Sequence, residues 1–225
     1  MSFLADWFVH NSLAVLLCTA TIVSTLWLFR ANGRLGLKPW QIALLAVTHT
    51  LLGLLSVKIF AVIEGLGDAS AIGNMSLFGG MAFLPIFYAA LARFGRLDVS
   101  DVFDVLTVCL VGTLFFARIN CIVSGCCLGA FIPGTGIRYA TRELELVFYV
   151  ALLAYLIPCV LSGRRRGQVF PIYMVSYGCF RFLTEFFRVE EAVAGPFHRA
   201  HLWSVIAVVL GCSILAEFSF DKGRK

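Results

Sequence analysis

The sequence predicts an all-α integral membrane protein of about seven transmembrane helices, with the amino terminus outside and the carboxyl terminus in the cytoplasm. Three observations carry that prediction. Hydrophobic residues make up 60% of the 225 residues and charged residues only 14%, against roughly 25% charged in soluble domains. The mean hydropathy is +0.91. The basic residues fall in short stretches between apolar runs, where they set orientation in a bilayer.

A spanning helix needs about 20 mostly apolar residues. Such runs lie near 12–29, 40–63, 74–92, 103–120, 144–161, 168–187 and 201–219. They predict a single polytopic membrane domain over 1–225. Arg30, Arg34 and Lys38 follow the first run, Arg93 and Arg96 the third, and Arg164, Arg165 and Arg166 the fifth. Lys222, Arg224 and Lys225 follow the seventh. With seven spans these groups share one side, which the positive-inside tendency makes cytoplasmic. The opposite loops carry Glu64 and Asp68, then Arg138 and Arg142, then Glu190, Glu191 and Arg199. The net charge of +5 is therefore read as topology, and no nucleic-acid partner is expected. Asp6 and His10 before the first run, with no basic region ahead of it, do not resemble a cleaved signal peptide.

Charges at membrane depth are costly, so they face a cavity or a partner. In the sixth run Arg181 and Glu185 are four apart and Arg188 is seven from Arg181, which places them on one helix face with Tyr177 a turn earlier. They read as an ion pair with a snorkelling arginine, or as an anion site with surplus positive charge. Arg118 precedes Asn120, Cys121, Ser124, Gly125, Cys126, Cys127 and Gly129. That stretch suits a helix end or a loop lining a cavity. Lys58 and His49 lie in the second run; Lys58 can pair or snorkel, and His49 reads as a packed side chain. His198 and His201 are three apart in the last external loop and read as surface residues. Most of the eight cysteines lie in apolar runs, where a thiol acts as a small hydrophobe. The group Cys121, Cys126 and Cys127 is the exception. The adjacent thiols of Cys126 and Cys127 could form a disulfide, bind a metal, act as a nucleophile or simply pack in a tight turn.

At these residues the sequence resembles the bacterial prolipoprotein diacylglyceryl transferases. The family's late helix reads roughly Y-G-x-x-R-F-x-x-E-F-x-R, matched by Tyr177, Gly178, Arg181, Phe182, Glu185, Phe186 and Arg188. Its fourth-span signature, roughly G-R-x-G-N-F-x-N-x-E-x-x-G, is met by Arg118 and the final Gly129. Gly79-Gly80 is similar to its H-G-G segment, and Gly53 through Phe60 to its G-x-R-L-F stretch, with Lys58 for the arginine. The sequence departs from the pattern at Phe78 for the histidine, Cys121 for an asparagine and Cys126 for the glutamate. Arg142-Glu143-Leu144-Glu145 is similar to the family's P-S-Q-L-Y-E only loosely.

The resemblance implies a seven-helix enzyme of the bacterial inner (plasma) membrane, active in lipoprotein biosynthesis. It implies transfer of the diacylglyceryl group of phosphatidylglycerol to a lipobox cysteine of a prolipoprotein signal peptide. Arg118, Arg181 and Glu185 become the candidate catalytic residues. Arg118, Arg181, Arg188 and Lys58 become the candidate ligands of the lipid phosphate. Tyr177, Gly79, Gly80, Cys126, Cys127 and Gly129 are further candidates. No metal or soluble cofactor is implied. The alternatives are a divergent lipid-binding homologue without catalysis, an enzyme with another acceptor, and a small transporter. The absence of internal symmetry speaks against the last.

Overall fold

The computed structural model describes residues 2–65, 76–189 and 197–223. Seven helices follow in order: α1 Ser2–Leu35, α2 Pro39–Glu64, α3 Phe78–Gly95, α4 Val99–Val123, α5 Thr141–Ser162, α6 Val169–Glu185 and α7 Arg199–Gly223. Among the described residues there are no strands, only the isolated bridges Gly129–Arg188 and Phe131–Arg138. The protein is thus an all-α, multi-pass membrane protein. All but α6 contain an apolar stretch long enough to cross a bilayer. At 17 residues, α6 is shorter and carries Arg181 and Glu185. The predicted start of the third span at residue 74 lies outside the described residues, as do Asp68, Glu190, Glu191, Arg224 and Lys225.

Local chemistry sets the helix ends. Asn32 closes the turn between α1 and α2: its Nδ2 donates to the Leu37 carbonyl at 2.9 Å and its Oδ1 accepts from the Leu37 N–H at 2.8 Å. Pro39 then opens α2, where a missing N–H costs nothing. The Asp98 carboxylate caps α4 by accepting from the Asp101 N–H at 3.1 Å. Gly163, in the left-handed region at φ 65°, ends α5.

The fourth helix is the centre of the bundle. It packs on α1, α3, α5 and α6, while α6 leans most heavily on α7. Leu26, Leu51, Ile86, Val147, Leu202 and Val209 are exposed, as residues facing lipid should be. A β-carbon on Gly79 would come within 2.8 Å of the Phe60 Cβ and collide with the Ser56 backbone, so Gly79 sets the close approach of α3 to α2. Gly80 does the same against α4 more loosely, with Leu110 Cδ1 at 3.3 Å.

Each end of α4 anchors a charged cluster. At its start, Asp104 is fully buried. Its carboxylate accepts from the N–H groups of Gly167 at 2.8 Å and Val169 at 3.2 Å, and from Arg34 Nη2 at 3.1 Å. Asp101 takes Arg34 Nε at 2.7 Å and Arg166 Nη2 at 2.6 Å. Arg34 also donates to the Val160 carbonyl at 3.1 Å. This cluster joins α1, α4, α5 and the entry to α6. It holds those helices in the register that presents their opposite ends to one another.

Candidate functional site

At the far end of α4, Arg118 turns inward with 3% of its surface exposed. It forms an ion pair with Glu145, one turn into α5 and fully buried. Arg181 of α6 reaches the same carboxylate, Nη1 to Oε1 at 3.2 Å, and Glu185 Oε2 through Nη2 at 2.8 Å. Arg188, just past α6, approaches both acids: Nη1 lies 3.5 Å from Glu145 Oε1 and Nε lies 3.7 Å from Glu185 Oε2. His198 Nδ1 stands 3.3 Å from Glu185 Oε1. Among the described residues, three guanidinium groups and two carboxylates meet here, with His198 beside them. Buried charge of this kind persists only where the geometry of the pairing is good or a ligand completes it.

Aromatic rings form the deep wall of the cluster. Tyr177 is buried and stacks on Tyr173 at 5.8 Å and Tyr149 at 6.4 Å between centroids. The hydroxyl groups of Tyr149, Tyr173 and Tyr177 make no hydrogen bond within the described residues. Unpaired buried donors of this kind call for an explanation, and Tyr149 and Tyr177 lie near enough to Arg118 to feel its charge. Phe78 meets Tyr177 edge-on at 5.7 Å. The position that resembles the family's histidine is therefore inside the site but carries no proton.

The loop after α4 forms the outer wall. Gly129 pairs with Arg188 across an antiparallel bridge, and the Ala130 N–H donates to the Phe187 carbonyl at 2.8 Å. A β-carbon at Gly129 would press on Tyr139, its Cβ at 3.1 Å. Glycine is required there, and through it the loop positions Arg188. Arg138 covers the Phe131 ring at 3.9 Å from its centroid. Arg142 Nη1 donates to the carbonyls of Cys121 at 3.3 Å and Cys126 at 3.4 Å. The Sγ atoms of Cys121, Cys126 and Cys127 lie within 4.8 Å of one another, and Arg118 Nη1 is 3.9 Å from that of Cys121. The Cys127 thiol is lowered to about 4, first by its hydrogen bond with Cys121 and then, against burial, by the Arg118 and Arg188 charges. Cys126 moves the other way, because burial and the neighbouring Cys127 raise it.

The structure gathers Arg118, Arg181, Glu185, Arg188, Tyr177, Gly129, Cys126 and Cys127 at one end of the bundle. Gly79 and Gly80 serve the packing of α3 beside Phe78. Lys58 is placed on α2 and half-buried. Asn120 faces α1, accepting from Ser12 Oγ at 2.8 Å. His49 packs as expected, its Nε2 2.9 Å from the Tyr88 hydroxyl.

Two readings of the sequence need correction. His198 and His201 are not surface residues. His201 is 3% exposed among Phe182, Phe186 and Phe197, and its Nδ1 accepts from the His198 N–H at 2.9 Å. Glu145, absent from the candidate residues, is the carboxylate that all three arginines share. The available signal was an acid at the start of an apolar run, four residues before Tyr149.

Comparison with known proteins identifies the family. The family model for prolipoprotein diacylglyceryl transferase matches residues 8–216. A phosphatidylglycerol–prolipoprotein diacylglyceryl transferase of Geobacter sulfurreducens is 28% identical over 183 residues, 74% of this chain and 66% of the relative. One from Dehalococcoides mccartyi is 22% identical over 152 residues, 61% of this chain and 58% of the relative. A second enzyme of that name from Clostridium perfringens is 25% identical over 142 residues, 57% of this chain and 56% of the relative. The chain thus spans less than two thirds of the length of these relatives. The match over most of its residues nonetheless shows that the chain belongs to the prolipoprotein diacylglyceryl transferase family.

Proposed function

We propose that this protein transfers a diacylglyceryl group from a phosphatidylglycerol-like anionic phospholipid to a cysteine thiol of a prolipoprotein signal peptide. The reading places it in the bacterial inner membrane as one seven-span domain, amino terminus outside. The buried cluster then faces the outer leaflet. The observation that carries the reading is the convergence of Arg118, Arg181 and Arg188 on one buried site around Glu145.

The chemistry follows from that convergence. Attack of a thiolate on the glyceryl carbon breaks its bond to the phosphate oxygen, and negative charge grows on the departing glycerol phosphate. Fixed cations placed where that charge appears lower the barrier, and in a water-poor site they act more strongly than in solution. Each guanidinium has five N–H donors in a planar fork. That fork matches the oxygens of a phosphate. Glu145 and Glu185 orient the forks, and the tyrosine hydroxyl groups can meet the polar part of the head group.

A second reading, lipid binding without transfer, draws support from Phe78, an apolar ring packed on Tyr177. Incubating the purified protein with phosphatidylglycerol labelled in its diacylglyceryl part and a lipobox peptide separates the two. Transfer predicts label on the peptide as a thioether, with an equal amount of glycerol phosphate released. Lipid retained by the protein with an unlabelled peptide would refute transfer and support the second reading.

A further inference from the structure

Transfer to a thiol needs that thiol deprotonated, and the acids of the site are poor bases for the task. Glu145 is held by three arginines and Glu185 by two arginines and His198. A carboxylate so surrounded keeps its electron pairs directed at cations. The group that stands beside the arginines and remains chemically available is the trio of thiols.

The geometry of the trio is built. Gly125 at φ 69° and Cys127 at φ 56° both occupy the left-handed region and fold the chain back over the end of α4. Cysteine in that conformation is strained where glycine would be relaxed. The turn is fastened by the Cys126 N–H on the Cys121 carbonyl at 3.1 Å and by Arg142 on the carbonyls of Cys121 and Cys126. It brings three sulfur atoms within 4.8 Å of one another, none of them in a disulfide. Zinc binds thiolates at about 2.3 Å, which sets neighbouring sulfurs roughly 3.8 Å apart in a tetrahedron. Small rotations of the cysteine side chains close that gap. Three thiolates and one divalent cation sum to a single negative charge, and Arg118 and Arg188 stand next to it. Cys126 is exposed, so the fourth direction is accessible.

We propose that Cys121, Cys126 and Cys127 form a three-thiolate zinc site whose open fourth position takes the acceptor thiol. The second half of this statement rests on the transfer reading. Sites with three protein ligands keep the fourth for water or substrate, and a thiol that coordinates zinc loses its proton. That proton passes to water. The bound sulfur then supplies the electron pair for the new carbon–sulfur bond, and the carbon–oxygen bond to the phosphate takes its pair away with glycerol phosphate. The thioether product is a weaker ligand than a thiolate and departs. No oxidant or reductant takes part.

The test uses the purified full chain, reduced and kept anaerobic, loaded with cobalt(II) as the optical probe for zinc. The proposal predicts one cobalt per chain, a thiolate charge-transfer band in the near ultraviolet and tetrahedral absorption in the visible. Cys126→Ser and Cys127→Ser should lose the charge-transfer intensity while keeping the thermal midpoint of the metal-free parent; Cys179→Ser should keep the intensity and the midpoint of the loaded parent. Adding the lipobox peptide should shift the visible absorption, and a peptide with serine for its cysteine should not. A parent protein that binds no stoichiometric metal overturns the site, as does a disulfide within the trio by mass. Metal that binds but ignores the peptide overturns the acceptor role. Full transfer by metal-free protein overturns activation by zinc and leaves the transferase reading standing. Metal and peptide bound with no transfer refutes the transferase reading and leaves the site.

Discussion

Replacing Glu145 with glutamine is expected to be among the most damaging single changes in this protein. The side chain keeps its shape and loses its charge, and three buried guanidinium groups lose the carboxylate they share. Leaving a buried charge without its partner costs about 3–5 kcal/mol. Here Arg118 is the most affected, because Arg181 and Arg188 retain Glu185. The thermal midpoint in detergent should fall sharply and transfer should vanish. Glu143→Gln is the control: its carboxylate is half-exposed and 3.6 Å from Arg142 Nη2, and an exposed pair contributes about 0–1 kcal/mol. Equal stability of the two variants would show that Glu145 does not hold the cluster.

The second large effect lies at the opposite end of the bundle. Asp104→Ala removes the acceptor of two backbone N–H groups at the entry to α6 and one partner of Arg34. The first turn of a helix has no internal partner for its N–H groups, so α6 loses its cap from α4. A loss of about 3–5 kcal/mol is expected, the range for breaking a buried pair. Asp104→Asn keeps an acceptor oxygen and should fall between the alanine variant and the parent. Because α6 carries Arg181 and Glu185, activity should drop in step with stability. An alanine variant that melts like the parent would contradict the role assigned to Asp104.

How far the sequence was legible follows from the solvent. Lipid leaves no partner for an open backbone, so each span must be an unbroken apolar helix, and six of the described helices stand out by length and composition. Their ends were less clear. The helix predicted from 103 begins at Val99, because Asp98 caps it in a stretch too polar to read as a span. Arg181 and Glu185 were legible as a pair because one helix carries both. Glu145 was not, because its three partners come from other segments and no local pattern announces a contact across helices. His201 was misread for a related reason. It follows His198 and Arg199 at the start of α7, while the rings of Phe182 and Phe186 that cover it come from α6 and the residue after it. The trio of thiols was half legible: Cys126 and Cys127 are adjacent, but the turn that returns them to Cys121 depends on backbone angles that the residue types do not advertise.

The account rests on the claim that the buried arginines hold the phosphate of a lipid donor as it leaves. The most direct measurement is the rate of label transfer from phosphatidylglycerol to a lipobox peptide, per inserted protein, for the parent, Arg118→Ala, Arg181→Ala and Arg93→Ala. Removing one preorganised donor from a developing oxyanion costs about 100- to 1,000-fold in rate. The account predicts losses of at least that size for Arg118→Ala and Arg181→Ala, and parental rates for Arg93→Ala, whose side chain is exposed in the last turn of α3. Parental rates in the Arg118 and Arg181 variants would contradict it.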